Sequence, residues 1–143
     1  MTFVATMSSP PPELTGAEWA IIKAVWAHEP CAAPAIQEAL QSSQGWAYST
    51  VRTLMDRMVG KGLLSAEKVR HLTLYRAAVT RRQAQLTEVR YALRHAFDGA
   101  LKPMVETLLA SEKLSSAELD ELESLITARR QGRGTAHSRR PKS

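Results

Sequence analysis

The segment at residues 47–64, AYSTVRTLMDRMVGKGLL, carries hydroxyl and guanidinium side chains at a spacing that suits a helix. At about 100° per residue, Ser49 and Thr53 lie opposite the apolar side chains, and Arg52 lies beside them. A hydroxyl donates or accepts a hydrogen bond, and a guanidinium can donate two to a guanine edge or to a phosphate. The pattern alone fits two alternatives, a plain solvated face or a helix that enters the major groove of DNA. β-Branched threonine is a poor choice for a helix that only faces water, which counts against the solvated face.

The predicted DNA contacts extend from this helix into the residues that follow it. Arg57 and Lys61 lie where the helix would leave the groove, so we expect them to bind phosphates. Basic residues farther along would contact the backbone or the neighbouring minor groove. Tyr48 lies at the edge of the apolar face, so its ring could instead pack inside with only the hydroxyl outward. The residues predicted to contact DNA on these grounds are Tyr48, Ser49, Arg52, Thr53, Arg57, Lys61, Lys68, Arg70 and His71.

Two further helices are predicted before this segment. The first begins at a capping box, in which Thr15 precedes Glu18 by three residues. The second begins near Pro34, a residue suited to an early helical position. The third helix, at residues 47–60, directs one apolar face inward, formed by Val51, Leu54, Met55, Met58 and Val59.

A short β-hairpin is predicted after the third helix. Residues 63–68 and 72–77 suit strands, and residues 69–71 form a basic tip between them. Three helices followed by a hairpin are typical of a winged helix-turn-helix. We therefore predict a mainly α fold with a small β-hairpin wing, in which residues 13–79 form a DNA-binding domain after a flexible N-terminus at residues 1–12.

The chain from residue 80 onward reads as amphipathic helices. Three such helices in fewer than about fifty residues cannot readily bury their apolar faces alone, so we expect residues 80–127 to pair with a second copy. The residues predicted at this helical dimerisation region are Leu86, Val89, Leu93, Phe97, Leu101, Val105, Leu108, Leu119 and Leu122.

The net charge of +5 comes from the end of the chain. Residues 128–143 hold six Lys/Arg and no Asp/Glu, so the remainder has a formal charge of 5 − 6 = −1. We predict a disordered basic tail over these residues, which adds salt-sensitive attraction to DNA. Evidence for specific DNA binding therefore rests on where the charges lie in residues 13–79.

Other functional classes find little support in the composition. No stretch approaches the ~20 apolar residues of a membrane span, and the N-terminus lacks the basic and apolar parts of a secretory signal. The single Cys31 excludes an intramolecular disulfide, and no metal cluster, phosphate-binding loop or nucleophile motif is evident. We expect a cytoplasmic protein that is not an enzyme and uses no metal or cofactor.

The order and spacing of five motifs is similar to the penicillinase and methicillin-resistance repressor family. These motifs are LTGAEWAIIKAVW, AYSTVRTLMDRMVGKGLL, LYRA, FDGALKPMV and LSSAELDELESLI, and they cover residues 14–126. The resemblance implies a dimeric repressor that binds inverted-repeat promoter operators in double-stranded DNA. It also implies a β-lactam-responsive or related antibiotic-resistance regulon, with a membrane sensor-protease as partner.

The resemblance assigns roles to several residues of this chain. It implies that Ser49, Thr50 and Thr53 read bases, that Arg52, Arg57 and the hairpin contact phosphates, and that the scissile bond joins Thr107 and Leu108. Three features depart from the family pattern. Thr107 replaces the asparagine of familiar members, Ala47 occupies a helix-capping position where a serine-type residue is expected, and the cysteine cluster of copper-responsive relatives is missing.

Two alternatives remain open from the sequence. A ligand-sensing repressor would bind a small molecule in a pocket between its DNA-binding and dimerisation parts. A winged-helix protein-interaction module would use the same helix to bind another protein. The hydroxyl stripe flanked by arginines favours DNA over the second alternative.

Overall fold

The computed structural model describes residues 11–142, with side chains described for residues 11–132. The described chain divides into two compact units at the Asp98–Gly99 boundary. The elements of the first unit are α1 (Gly16–His28), α2 (Ala33–Ala39), α3 (Gln41–Gln44), α4 (Tyr48–Gly60), β1 (Leu64–Val69), β2 (Leu72–Ala77) and α5 (Arg81–Phe97). The elements of the second unit are α6 (Leu101–Ser111) and α7 (Ser116–Lys142).

Helix α1 begins at the predicted capping box. The Glu18 backbone N–H donates to the Thr15 hydroxyl at 3.2 Å, and the Thr15 N–H donates to Glu18 Oε1 at 2.9 Å. The two bonds satisfy donors that the first turn of a helix leaves without intrahelical partners. Of the predicted flexible N-terminus, only Pro11 and Pro12 lie among the described residues, and the rest lies outside them.

The core of the first unit lies between α1, α2, α4 and the hairpin. The large side chains that are fully buried there are Ile21, Ile22, Val25, Ile36, Val51, Met55, Met58, Leu63 and Tyr75. The predicted inward face of α4 is confirmed, since Val51, Met55 and Met58 are buried and Leu54 and Val59 pack against the core. Burial of this face fixes which side of α4 remains exposed.

The hairpin pairs β1 with β2 in antiparallel register, from Leu64 opposite Ala77 to Val69 opposite Leu72. The sequence pattern predicts a tip that includes Val69 and a first strand that begins at residue 63. Both predictions are wrong by one residue, because Val69 joins the ladder and leaves a two-residue connection, Arg70-His71. Arg70 has a positive φ of 60°, a conformation that arginine adopts rarely. Cys31 extends the pairing, because it exchanges backbone hydrogen bonds with Tyr75 at 2.7 and 3.1 Å.

Helix α5 begins at a second capping box, between Thr80 and Gln83. Its buried Ala84 packs into the core of the first unit, and the Trp26 indole N–H donates to the Val79 carbonyl at 3.1 Å. The helix ends at Phe97, where Asp98 and Gly99 both adopt positive φ. The first unit is thus a winged helix-turn-helix to which one further helix is attached.

The second unit consists of α6 and α7. Helix α7 follows a third capping box, in which the Glu118 N–H donates to the Ser115 hydroxyl at 3.1 Å. The backbone of α7 continues to Lys142, and the disordered basic tail over residues 128–143 stays a prediction. Ala128, Arg129, Arg130 and Gln131 are good helix formers and extend the helix that the preceding apolar repeat begins. The side chains of residues 133–143 lie outside the described set. Within the described residues, no helix has the length and apolarity to cross a membrane.

Candidate nucleic-acid interface

The side of α4 that faces away from the core is a ridge of small polar residues. Ser49, Thr50, Thr53 and Arg57 are exposed, and together with Leu54 they line a shallow depression. No side chain longer than threonine occupies the ridge between Ser49 and Thr53 on this face, so another molecule can approach the helix backbone closely. The structure therefore brings together four of the residues that the sequence predicted for DNA contact.

Arg52 is held at the edge of this ridge by its own helix. Its Nε donates to Asp56 Oδ2 at 3.1 Å and to Oδ1 at 3.4 Å, and its Nη1 donates to the Tyr48 hydroxyl at 3.3 Å. The hydrogen bond to Tyr48, followed by electrostatic interactions with Tyr75 and Asp56, raises the pKa of Arg52 further above its ordinary value. Arg52 therefore keeps its charge and has a defined orientation before any ligand binds.

Tyr48 lies on the surface rather than in the core. The side chain is 42% exposed, and its hydroxyl accepts the hydrogen bond from Arg52. The alternative in which the ring packs inside is therefore wrong, because the buried positions on this side of α4 are taken by Val51 and Met55.

Sequence patterns did not identify two residues of the site, Tyr75 and Asp56. Tyr75, fully buried in β2, donates its hydroxyl proton to Asp56 Oδ1 at 2.7 Å. Burial, followed by the hydrogen bond and the negative charge of Asp56, raises the pKa of Tyr75 to about 12. Tyr75 therefore remains a hydrogen-bond donor at neutral pH. The motif LYRA contained Tyr75, but no local spacing linked it to Asp56.

Lys61 has a partner that the sequence did not reveal. Its Nζ lies 2.7 Å from Oε2 and 3.0 Å from Oε1 of Glu18, whose side chain is buried in the core region. Burial by itself would raise the pKa of Glu18, but the hydrogen bond from Lys61, the backbone N–H of Thr15 and the charge of Lys61 outweigh it and lower the pKa. Lys61 thus joins the end of α4 to the start of α1, and its contact with phosphate stays a prediction.

The hairpin presents the remaining predicted contacts. Lys68 near the end of β1, and Arg70 and His71 in the connection, are all exposed. Within the described residues, neither Lys68 nor Arg70 forms an ion pair. Their charges are therefore available to an anionic ligand next to α4.

The predicted dimerisation residues lie on helices of both units. In α5, Leu86 and Val89 are exposed and Leu93 and Phe97 are half-buried. In α6 and α7, the exposed residues are Leu101, Val105, Leu108, Leu119 and Leu122. The Thr107–Leu108 bond lies inside α6, and both side chains are exposed.

A groove of about 790 Å³ lies between α1 and α5. Its lining combines apolar and charged side chains, and the Trp19 indole N–H donates to Glu88 Oε1 across it at 3.1 Å. The other lining residues are Lys23, Arg82, Gln85, Leu86 and Val89. Among the described residues, no group of three or more His, Cys, Asp or Glu side chains is arranged to hold a metal ion.

Comparison with known proteins agrees with this architecture. The penicillinase repressor family model matches residues 14–128. The chain is 25% identical over 114 residues to the methicillin resistance regulatory protein MecI of Staphylococcus aureus strain N315, covering 80% of this chain and 93% of MecI. It is 24% identical over 115 residues to the penicillinase repressor of Bacillus licheniformis, covering 80% and 90% of the two chains.

Among solved structures, the chain resembles the Bacillus licheniformis BlaI monomer in complex with the blaP half-operator. The TM-score is 0.46 at 22% identity, and the match covers 51% of this chain and 89% of that chain.

A winged helix-turn-helix with an exposed polar ridge on its third long helix is typical of DNA-binding transcriptional regulators. The match over residues 14–128 then places it: the chain belongs to the penicillinase repressor family. It is accordingly a DNA-binding transcriptional repressor.

Proposed function

We propose that this chain is a homodimeric repressor whose α4 helices enter major grooves at the two halves of an inverted-repeat promoter operator. The observation that carries the proposal is the exposed ridge of Ser49, Thr50 and Thr53, held outward by the buried face of α4. Small hydroxyl residues allow the helix to sit close to base edges, and threonine methyls can contact thymine methyls. Ser49, Thr50 and Thr53 are the proposed base-reading residues.

Phosphate contacts complete the proposed interface. Arg57 lies farther along α4, and Lys68, Arg70 and His71 lie on the hairpin, so they can bind the backbone on either side of the groove. Two symmetric copies would bind half-sites about one or two helical turns apart, roughly 34 Å or twice that distance.

The proposed dimer uses the apolar stripes of α5, α6 and α7. Leu101 is 64% exposed and Leu108 is 53% exposed in the single chain, which is costly for two leucines on the same face of one helix. Pairing of two copies removes this surface from water and links two weak half-site contacts into one strong contact. Anything that separates the copies would therefore lower operator affinity steeply.

Release of the operator is proposed to occur through the dimerisation region. MecI is named for methicillin resistance and the Bacillus licheniformis relative for penicillinase, which supports a β-lactam-responsive or related regulon. We place the repressor in the cytoplasm. Cleavage at Thr107–Leu108 by a membrane sensor-protease is one route. Because that bond lies within α6, a protease must first unwind the helix around it. Mass mapping of fragments after derepression tests this route, and an intact bond would leave loosening of the dimer as the mechanism.

The DNA-binding proposal is tested by fluorescence anisotropy with the promoter of the chain's own gene. We expect Arg57→Ala to weaken binding and to reduce the slope of log K against log salt by about one, because one phosphate contact is lost. Arg94→Ala on α5 removes the same charge away from the interface and should leave binding unchanged. Equal behaviour of the two variants would contradict groove docking by α4, and would favour a winged helix that binds protein.

The groove between α1 and α5 supports a second candidate, a ligand-responsive repressor. Lys23 and Arg82 offer positive charge beside Trp19 and Leu86, which suits a small amphipathic acid. A thermal-shift screen of aromatic and aliphatic carboxylates would test it. Stabilisation that disappears in Arg82→Ala would support this candidate, and no stabilisation by any acid would remove it.

A further inference from the structure

Four side chains form a continuous hydrogen-bonded chain from the interior of the wing to the exposed ridge of α4. The Tyr75 hydroxyl donates to Asp56 Oδ1 at 2.7 Å, and Asp56 accepts from Arg52 Nε at 3.1 and 3.4 Å. Arg52 Nη1 donates in turn to the Tyr48 hydroxyl at 3.3 Å. We call these four residues the wing-to-helix chain.

The buried end of the wing-to-helix chain is held in place by the core, whereas its exposed end is not. Tyr75 is fully buried, and its backbone pairs with Cys31 on one side and with Ala66 opposite it in β1. Asp56 therefore receives a hydrogen bond from a donor that cannot move independently of the core. An arginine on a helix surface otherwise samples many rotamers, and ordering them beforehand removes an entropic cost of binding.

The same contacts decide which edge of Arg52 can meet DNA. Because Asp56 accepts from Nε and the Tyr48 hydroxyl accepts from one N–H of Nη1, the edge left for a ligand consists of the second Nη1 N–H and the Nη2 group. That edge can donate two parallel hydrogen bonds to the O6 and N7 atoms of guanine. Arg52 therefore suits recognition of a base at one fixed orientation.

The charge of Asp56 bears on affinity for phosphate. The carboxylate lies against Arg52 in an exposed ion pair and offsets its positive charge. A neutralised pair adds little to the sequence-independent attraction that phosphates exert on free cations. The Arg52–Asp56 pair should consequently favour directional base contacts over general binding to the backbone.

We propose that Asp56 and Tyr75 are positioning residues that orient Arg52 toward a base edge, and that they set sequence discrimination rather than general affinity for DNA. The inference rests on the proposed function, since it requires α4 to lie in the major groove. It assigns a role to the wing beyond phosphate contact, because a buried wing residue determines what the helix reads.

The test compares two duplexes with the full-length chain. One is selected by the wild-type chain from a random library, and the other is an unrelated duplex of equal length. We expect Tyr75→Phe, which keeps the ring and removes the hydroxyl, to weaken binding of the selected duplex roughly 5- to 10-fold and to leave the unrelated duplex unchanged. The salt slope on the selected duplex should also stay the same, because no phosphate contact is lost.

Asp56→Asn gives a second, opposite signature. We expect weaker binding of the selected duplex together with stronger binding of the unrelated duplex, because a negative charge near phosphates is removed. Tyr91→Phe on α5 is the matched control for loss of a tyrosine hydroxyl and should change neither affinity. Circular dichroism melting of each variant checks that the fold is retained.

A double-mutant cycle separates positioning from structural damage. If Tyr75 acts through Arg52, Tyr75→Phe should cause no further loss in an Arg52→Ala background. Equal losses in both backgrounds, or equal losses on both duplexes, would overturn the inference. If Arg52→Ala loses discrimination while Tyr75→Phe and Asp56→Asn do not, the positioning role fails and DNA reading by α4 stands. If Arg52→Ala binds every duplex as the wild type does, Arg52 reads no base and the inference fails. If the wild-type chain selects no duplex, the proposed function itself fails.

Discussion

At the scale of single residues, Glu18 is a buried charged group that links two helices of the first unit. The residue is 3% exposed, and its carboxylate accepts three hydrogen bonds, one from the Thr15 backbone and two from Lys61. A buried carboxylate is tolerated only when such partners replace the water it has lost. Glu18 thus caps the start of α1 and, through Lys61, holds the end of α4. It thereby helps to fix the direction of α4, the helix that carries the ridge.

Removal of Lys61 should expose this dependence. We expect Lys61→Met to lower the free energy of unfolding by about 2 kcal/mol, because it leaves Glu18 buried without its counter-charge. This is below the loss seen for fully buried pairs, since the Lys61 side chain is 34% exposed and water partly screens the interaction. Urea unfolding at pH 7 measures the change, with Lys68→Met as the control for loss of an exposed lysine. Equal stabilities of the two variants would show that the pair contributes nothing.

The lowered pKa of Glu18 predicts a dependence on acid. A carboxyl group whose pKa falls on folding stabilises the protein above its unfolded pKa, near 4.5, and loses that contribution as pH falls through the lower folded value. Glu18→Gln retains an acceptor for Thr15 but cannot carry the charge. We expect the wild type to be more stable than Glu18→Gln at pH 7, and the difference to shrink below about pH 4.5. Urea titrations at pH 7, 5 and 3 measure it, and a difference that stays constant across them would contradict the ion pair.

At the scale of elements, the hairpin connection combines charge with backbone strain. Arg70 adopts φ of 60°, which is unfavourable for a residue with a long side chain, whereas asparagine tolerates it. We expect Arg70→Asn to raise the free energy of unfolding by about 0.5 kcal/mol and to reduce the salt slope of DNA binding by about one. Urea unfolding and anisotropy on the same samples measure both.

A gain in stability together with a loss of salt dependence would show that the strained backbone at Arg70 is kept because the side chain contacts DNA. His71→Asn, at the neighbouring position without positive φ, is the control for stability and should bring no gain. If Arg70→Asn gains stability without any loss of salt dependence, the Arg70 side chain does not contact phosphate.

Elements were predictable from the sequence where the signal was local. The inward face of α4 follows from the spacing of Val51, Met55 and Met58, and the capping boxes at Thr15 and Ser115 follow from spacings of three residues. The hairpin strands were correct to within one residue. The tip was predicted one residue too long, because arginine at positive φ carries no glycine or asparagine signal.

The contacts that define the site could not be predicted from local sequence patterns. Lys61 meets Glu18 across 43 residues, and Tyr75 meets Asp56 across 19. Such pairs depend on how α1 and the wing pack against α4, which periodicity does not encode. The ridge itself was predictable because it is the complement of the apolar face, whereas the groups that orient Arg52 required the tertiary structure.

At the scale of the whole molecule, the charges that attract phosphate in general lie apart from the residues proposed to recognise bases. The net charge of +5 is carried by residues 128–143, while the remainder has a formal charge of −1. General attraction to phosphate can therefore arise at the C-terminal end, and discrimination at α4. General affinity for DNA can therefore be altered while sequence discrimination is kept, and the reverse.

The proposed dimer gives the final expectation. In α7, Leu119, Leu122 and Ile126 lie on one exposed stripe, and Ser124 lies on the opposite side of the same helix. We expect Leu122→Asp to shift the chain from dimer to monomer at micromolar concentration, because a charge would be buried between two apolar faces. Ser124→Asp adds the same charge on the other side and should leave the dimer intact. Analytical ultracentrifugation measures the state of each variant.

The DNA affinity of the same variants ties assembly to function. Leu122→Asp should bind a full inverted repeat at least tenfold more weakly than the wild type, because the second half-site no longer benefits from a linked partner. Its affinity for a single half-site should equal that of the wild type, since α4 is untouched. A wild-type chain that sediments as a monomer while holding the full repeat tightly, or a Leu122→Asp variant that remains dimeric, would contradict dimerisation through this stripe.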